Sequence, residues 1–223
     1  MSAIKFKPED FAGCDWERGK GHAKMAADAA NAAVLKPWYE IYRDRMNETY
    51  AKHFRTKYAP FLNELAGMAS REYLELGCGA GWATRFLRRL LPEFVYSLKF
   101  TLVDSCPQML SLAVENNPEP ECAFLCRDLK EMPATFGNVV VHSHGVLEHF
   151  TDSEIQLVLL KNRFSRQVHY VPSAKYVKPS RGDERLMTPA EWEEILQGCG
   201  VDMGSSQVKE FNDGLDLMIV VDP

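Results

Sequence analysis

The apolar and polar positions of this chain fall into two regimes that meet near residue 70. Before that point they recur at helical spacing. Ile41, Tyr42, Met46, Tyr50 and Phe54 make one stripe through Trp38–Tyr58, and a shorter helical stretch runs from Pro60 to Met68, ending near Gly67. An alanine-rich segment, His22–Leu35, favours helix on propensity, and Pro37 suits the first turn of a new one. Residues 1–21 show no periodicity and read as an irregular arm.

Beyond residue 70, short strand-like runs alternate with helical ones. The runs Tyr73–Leu76, Leu98–Val103, Cys122–Cys126, Asn138–Val141 and Arg166–Val171 predict five strands. Helices are predicted from Trp82 to about Leu91, stopped by Pro92, from Ser105 onward with Ser105 as N-cap, and at Ile155–Leu160. Thr188-Pro-Ala-Glu191 begins a further helix, with Gly198 and Gly200 ending it. Gln207–Phe211 and Leu215–Val221 form a hairpin around Asn212-Asp-Gly214. This pattern predicts an α/β doubly wound, Rossmann-like seven-stranded sheet with one antiparallel strand and a helical N-terminal segment.

Composition narrows the function. The chain has 223 residues, is 46% hydrophobic and carries a formal net charge of −5. A general nucleic-acid binder needs clustered Lys and Arg, so nucleic acid is not expected as a partner. Arg43, Arg45, Lys52, Arg55 and Lys57 do lie on the aromatic helical stretch, where they fit the solvated face of an amphipathic helix. No apolar run approaches the roughly 20 residues of a membrane span, and the N-terminus is too polar for a signal peptide. The six cysteines are scattered, with only Cys122 and Cys126 close. Reduced, buried thiols in a cytoplasmic protein are expected.

The chemistry concentrates after the first strand. Gly77, Gly79 and Gly81 alternate in a turn between a strand and a helix, a place where backbone approaches a ligand closely and a helix offers unpaired N–H groups. Trp82 stands where a phosphate loop would need Lys, and the spacing does not give G-x-G-x-x-G. It does give E-x-G-x-G-x-G in full, through Glu75, Gly77, Gly79 and Gly81. On this motif, on Val103-Asp-Ser-Cys-Pro-Gln-Met-Leu110 and on Gly145-Val-Leu-Glu-His-Phe150, the chain resembles the class I S-adenosylmethionine-dependent methyltransferases, type 11 small-molecule branch. The resemblance covers about residues 70–221.

It implies strand order 3-2-1-4-5-7-6, S-adenosylmethionine as cofactor and SN2 methyl transfer to a small-molecule acceptor. Residues 1–68 become an arm and helical cap over the active site of a domain at 69–223. The implied cofactor residues are Glu75, Gly77, Cys78, Gly79, Gly81, Asp104, Ser105, Met109, Asp128, Leu129, His144 and Gly145. Asp104 ends the second strand and is placed to accept from ribose hydroxyls or to cap a helix. Asp128 matches the residue that faces adenine, or is an exposed turn aspartate. His144, His149 and Tyr176 are the candidate bases, with packing an equal role for His149. No metal is expected, because the three nearby histidines bring no carboxylate ligand set. A nucleic-acid base methyltransferase and a silent cofactor-binding module are the alternatives. Neither the acceptor nor the choice between monomer and homodimer follows from the sequence.

Overall fold

The computed structural model describes residues 38–68, 70–91, 98–135, 137–177, 179, 183–201 and 204–223. The arm at 1–21 and the helix expected over His22–Leu35 lie outside them. Seven strands form one sheet in the order β3-β2-β1-β4-β5-β7-β6. They are β1 (Glu72–Leu76), β2 (Lys99–Asp104), β3 (Cys122–Cys126), β4 (Val139–His144), β5 (Arg166–Pro172), β6 (Gln207–Phe211) and β7 (Asp216–Val221). The first five run parallel, and β7 is antiparallel to both its neighbours.

Alternation along each strand divides the core in two. Tyr73, Phe100, Leu102, Val140, Val168 and Tyr170 face one layer. That layer holds α2 (Glu48–Lys57), α3 (Ala59–Gly67), α4 (Trp82–Leu90) and α5 (Pro107–Asn116). Leu74, Leu76, Val141, Val171, Leu217 and Ile219 face the other, where α6 (Asp152–Lys161) and α7 (Pro189–Gly198) pack. Both helices of this second layer start with a complete capping box, Thr151 with Glu154 and Thr188 with Glu191.

Three expectations are corrected. The apolar stripe through Trp38–Tyr58 is two helices, because α1 (Trp38–Asp44) ends before Asn47 caps α2 by accepting from the Tyr50 N–H. Ser105 is not an N-cap: α5 starts at Pro107, and Cys106 holds the cap position without a side-chain bond. Cys126, half-buried at the end of the edge strand, is disulfide-bonded, whereas Cys78, Cys106, Cys122 and Cys199 are free. Strand β4 also extends to His144, so His142 and His144 are strand residues. Among the described residues no helix is long and apolar enough to cross a membrane.

α2 and α3 are part of the core. Phe54, Phe61, Leu62 and Leu65 are buried in the same cluster as Tyr73, Trp82 and Phe86. Phe54 lies between Trp82 and Phe86 on one side and His144 on the other, with ring centroids 4.7 Å from His144.

Candidate active site

The chain changes direction at the carboxyl end of β1 through Gly77–Gly81, and all three glycines have positive φ. At Gly81 (φ 69°) a Cβ would stand 2.5 Å from the Asn117 amide nitrogen and 3.0 Å from Leu102, so glycine is required there by both conformation and space. At Gly79 (φ 54°) a Cβ would meet, among the described residues, only Met109 Cε, at 3.1 Å.

The turn is held from several directions. Cys78 donates its N–H to Val103 O on β2 at 2.8 Å. Asn116 and Asn117, at the end of α5, donate to the carbonyls of Ala80 (2.8 Å) and Gly81 (3.0 Å). Glu75 is buried, and its Oε2 accepts from Thr84 Oγ1 at 2.5 Å and from the Thr84 N–H at 3.2 Å. It therefore satisfies one of the otherwise unpaired N–H groups in the first turn of α4. Burial pushes the Glu75 carboxyl up to about 7, against the lowering effect of Thr84.

Asp104 closes the arrangement from β2. Its Oδ2 accepts from the Gly79 N–H and its Oδ1 from the Cys106 N–H, both at 2.8 Å. Burial raises its pKa, opposed by these backbone donors. Each carboxylate oxygen has a further lone pair, so holding the loop leaves acceptor capacity for a ligand. Met109 is buried beside Gly79, while Ser105 is exposed. At the end of β3, Asp128 Oδ1 accepts from the Lys130 N–H at 2.8 Å and starts a short 3-10 turn that buries Leu129. From β4, Gly145 (φ 70°) donates to Tyr170 O at 3.0 Å, and Val146 lies against Gly77. The glycine turn, Asp104, Met109 and the Gly145 turn thus meet at the ends of β1, β2 and β4.

The three candidate bases are separated. His144 faces into an aromatic group, with ring centroids 4.2 Å from Tyr58 and 4.4 Å from Tyr170. Its Nε2 is buried without a hydrogen-bond partner among the described residues, and burial drives its pKa down to about 3. Tyr176 donates to Asp216 Oδ1 at 2.9 Å and accepts from Lys57 Nζ at 2.8 Å. His149 sits in a 3-10 turn with its Nδ1 3.3 Å from an Asp183 oxygen and its ring edge-on to Trp38. Burial alone would lower the His149 pKa, but Asp183, Glu148 and Glu184 outweigh it and raise it. Through Trp38, α1 reaches His149 while also packing against α5. Among the described residues no group of three or more His, Cys, Asp or Glu side chains is arranged to hold a metal ion.

A family profile described as "Methyltransferase domain" matches residues 74–163, from β1 through α6. Residues 74–163 thus fit a methyltransferase domain. The chain is 26% identical to trans-aconitate 2-methyltransferase of Klebsiella pneumoniae over 65% of this chain and 62% of that protein. It is 25% identical to malonyl-[acyl-carrier protein] O-methyltransferase of Bacillus cytotoxicus over 64% of this chain and 54% of that protein. The match thus spans less than two thirds of either relative. In structure the chain is similar to human N-acetylserotonin methyltransferase, solved in complex with S-adenosylmethionine. That similarity has a TM-score of 0.58 at 16% identity, over 92% of this chain and 66% of that one.

Several site residues carry no sequence signal of their own. Asn116 and Asn117 act only once α5 lies beside the glycine turn, and Asp183 only once its loop folds back on His149. Thr84 is the exception, since a Thr three residues beyond the last glycine falls in the first helical turn, within reach of Glu75.

Proposed function

We propose that this domain transfers the methyl group of S-adenosylmethionine to a small-molecule acceptor. The observation that carries the proposal is the E-x-G-x-G-x-G turn, with three left-handed glycines braced by Glu75, Asp104, Asn116 and Asn117. Glycine at position 79 leaves a cradle that a side chain would begin to fill. Asp104 fits the ribose hydroxyls through the lone pairs it has not committed to Gly79 and Cys106. Asp128 and Leu129 fit the adenine edge and face, and Gly77, Cys78 and Gly145 supply backbone at the sulfonium side. The bound cofactor supplies an electrophilic methyl that needs no further activation.

What the chain then supplies is positioning and, for an acceptor that arrives protonated, a base. Of the three candidates His149 fits best: Asp183 orients its ring and raises its proton affinity. His144 holds a proton too weakly, and Tyr176 is engaged with Lys57 and Asp216. The helices α1 and α2 serve as the cap that excludes water. Both curated relatives named above take acceptors that are carboxylic acids or their derivatives, which supports an oxygen acceptor.

Titration calorimetry with S-adenosylhomocysteine tests the proposal. Wild type binds it and Gly79→Val, still folded by circular dichroism, loses at least tenfold in affinity. Tight NAD binding, or unchanged affinity in the variant, overturns it. Mass spectrometry with a labelled donor and cell extract then identifies the methylated molecule.

A further inference from the structure

Lys57, the last residue of α2, has no part in the reaction so far described, yet it is held with unusual care. Its ammonium donates to the Tyr176 hydroxyl at 2.8 Å and lies 3.6 Å from Asp216 Oδ1. The two charges are placed asymmetrically. The Asp216 side chain is fully buried, whereas that of Lys57 is 27% exposed. Asp216 is also occupied by neutral donors: Oδ1 accepts from the hydroxyls of Tyr170 (2.8 Å) and Tyr176 (2.9 Å), and Oδ2 from the Asn212 amide (2.6 Å). The buried half of the pair is saturated inward, and the cationic half faces outward.

Ring contacts connect Lys57 to the candidate site. Lys57 Nζ stands 5.0 Å from the Tyr58 ring centre and 5.4 Å from that of Tyr176. The Tyr58 ring is in turn 4.2 Å from His144, and the Tyr170 ring stacks on His144 at 4.4 Å. One aromatic ring therefore separates the ammonium from the residue that precedes Gly145. Burial opposes the charge on Lys57, but Tyr176, Tyr58 and Asp216 outweigh it and keep the side chain protonated.

We propose that Lys57, fixed by Tyr176 and Asp216 beside the Tyr58 ring, anchors a carboxylate of the methyl acceptor, so that the substrate is a small organic acid. This deepens the methyltransferase assignment and rests on it. An ammonium already oriented by fixed dipoles meets an anion without further reorganisation. The adjoining rings give a flat acid an apolar bed between the anchor and the Gly145 turn. The competing role for Lys57 is a staple that only holds α2 to β7.

The experiment uses the full chain loaded with S-adenosylhomocysteine, with trans-aconitate, a panel of aliphatic and aromatic di- and tricarboxylic acids, and their neutral methyl esters as probes. Calorimetry is expected to show one or more acids bound by wild type. Lys57→Met then weakens those acids at least tenfold without changing S-adenosylhomocysteine affinity, Lys57→Arg restores most of the loss, and the esters bind both forms alike. Tyr176→Phe, which removes the hydroxyl that orients the ammonium and leaves Tyr170 and Asn212 on Asp216, gives a smaller loss confined to the acids. It decides the matter should Lys57→Met not fold. Wild type that binds S-adenosylhomocysteine but none of the acids overturns the anchor alone, as does equal loss of acid and ester in the variants. Wild type that fails to bind S-adenosylhomocysteine overturns the methyltransferase assignment as well.

Discussion

Glu148 is buried at 3% exposure next to the Gly145 turn, and its Oε2 has no hydrogen-bond partner among the described residues. Burial pushes its carboxyl up to about 7, with His149 pulling the other way, and Glu75 stands at a similar value for the same main cause. An acid whose folded-state pKa is raised binds its proton more tightly in the folded chain. Its stabilising contribution is complete below the unfolded value of about 4.3 and is lost as the pH rises through about 7. The urea midpoint is therefore expected to fall between about pH 4 and pH 7. Glu148→Gln, which keeps the shape without the titration, flattens that fall by up to about 3 kcal/mol, and an unchanged slope in the variant removes Glu148 as its source. His149 acts in the opposite sense on activity. As a base it must be neutral, so with an acceptor that arrives protonated kcat/KM is expected to rise through a pKa above the ordinary value of about 6.5. Asp183→Asn should move that limb to lower pH, and an unmoved limb in a pH–rate profile assigns the proton elsewhere.

Among the elements, the turn from β1 to α4 is the most completely specified. Gly81→Ala puts a methyl group against Asn117 and Leu102 in a left-handed conformation. A loss of about 1–3 kcal/mol in denaturant unfolding is expected, whereas a milder loss is expected for Gly79→Ala, whose only near neighbour among the described residues is the flexible end of Met109. Equal effects at the two glycines would contradict the geometry. In α2, Phe54 is 2% exposed between Trp82, Phe86 and His144, and Phe54→Ala should cost about 3–5 kcal/mol. The same elements show what the sequence displays. The glycine turn and the Thr188–Glu191 capping box were legible because all their parts lie within a few residues of each other, whereas the box of Thr151 with Glu154 went unread although it is equally local. The break between α1 and α2 was not legible, since apolar positions continue through it at helical spacing, although Asn47 followed by Glu48 is a helix-start signal that outranks the stripe.

For the molecule as a whole, the order of the seven strands agrees with the family resemblance, while the bonds that join the helical segment to the sheet were invisible beforehand. Lys57 and Tyr176 are 119 positions apart, and neither has a local pattern that points to the other. Because Phe54, Phe61, Leu62 and Leu65 share one core with Tyr73 and Trp82, residues 38–67 are not separable from the sheet. A chain starting at Met68 is expected to lose cooperative unfolding, and a sharp calorimetric transition in that fragment would show the sheet to be self-sufficient. A further consequence follows from β7, which lies between β5 and β6 and opens with Asp216. As the chain is synthesised, α2 emerges early and β7 follows all the other strands. Lys57, Tyr170, Tyr176 and Asn212 have all been made before the carboxylate that gathers them arrives. Until β7 slots between its two neighbours, the edge of β5 stays open and the Lys57 end of α2 lacks its ion pair, although Phe54 can already pack on Trp82 and Phe86. The order of manufacture thereby makes this hydrogen-bonded cluster one of the last parts of the fold to close, after the glycine turn can already have formed.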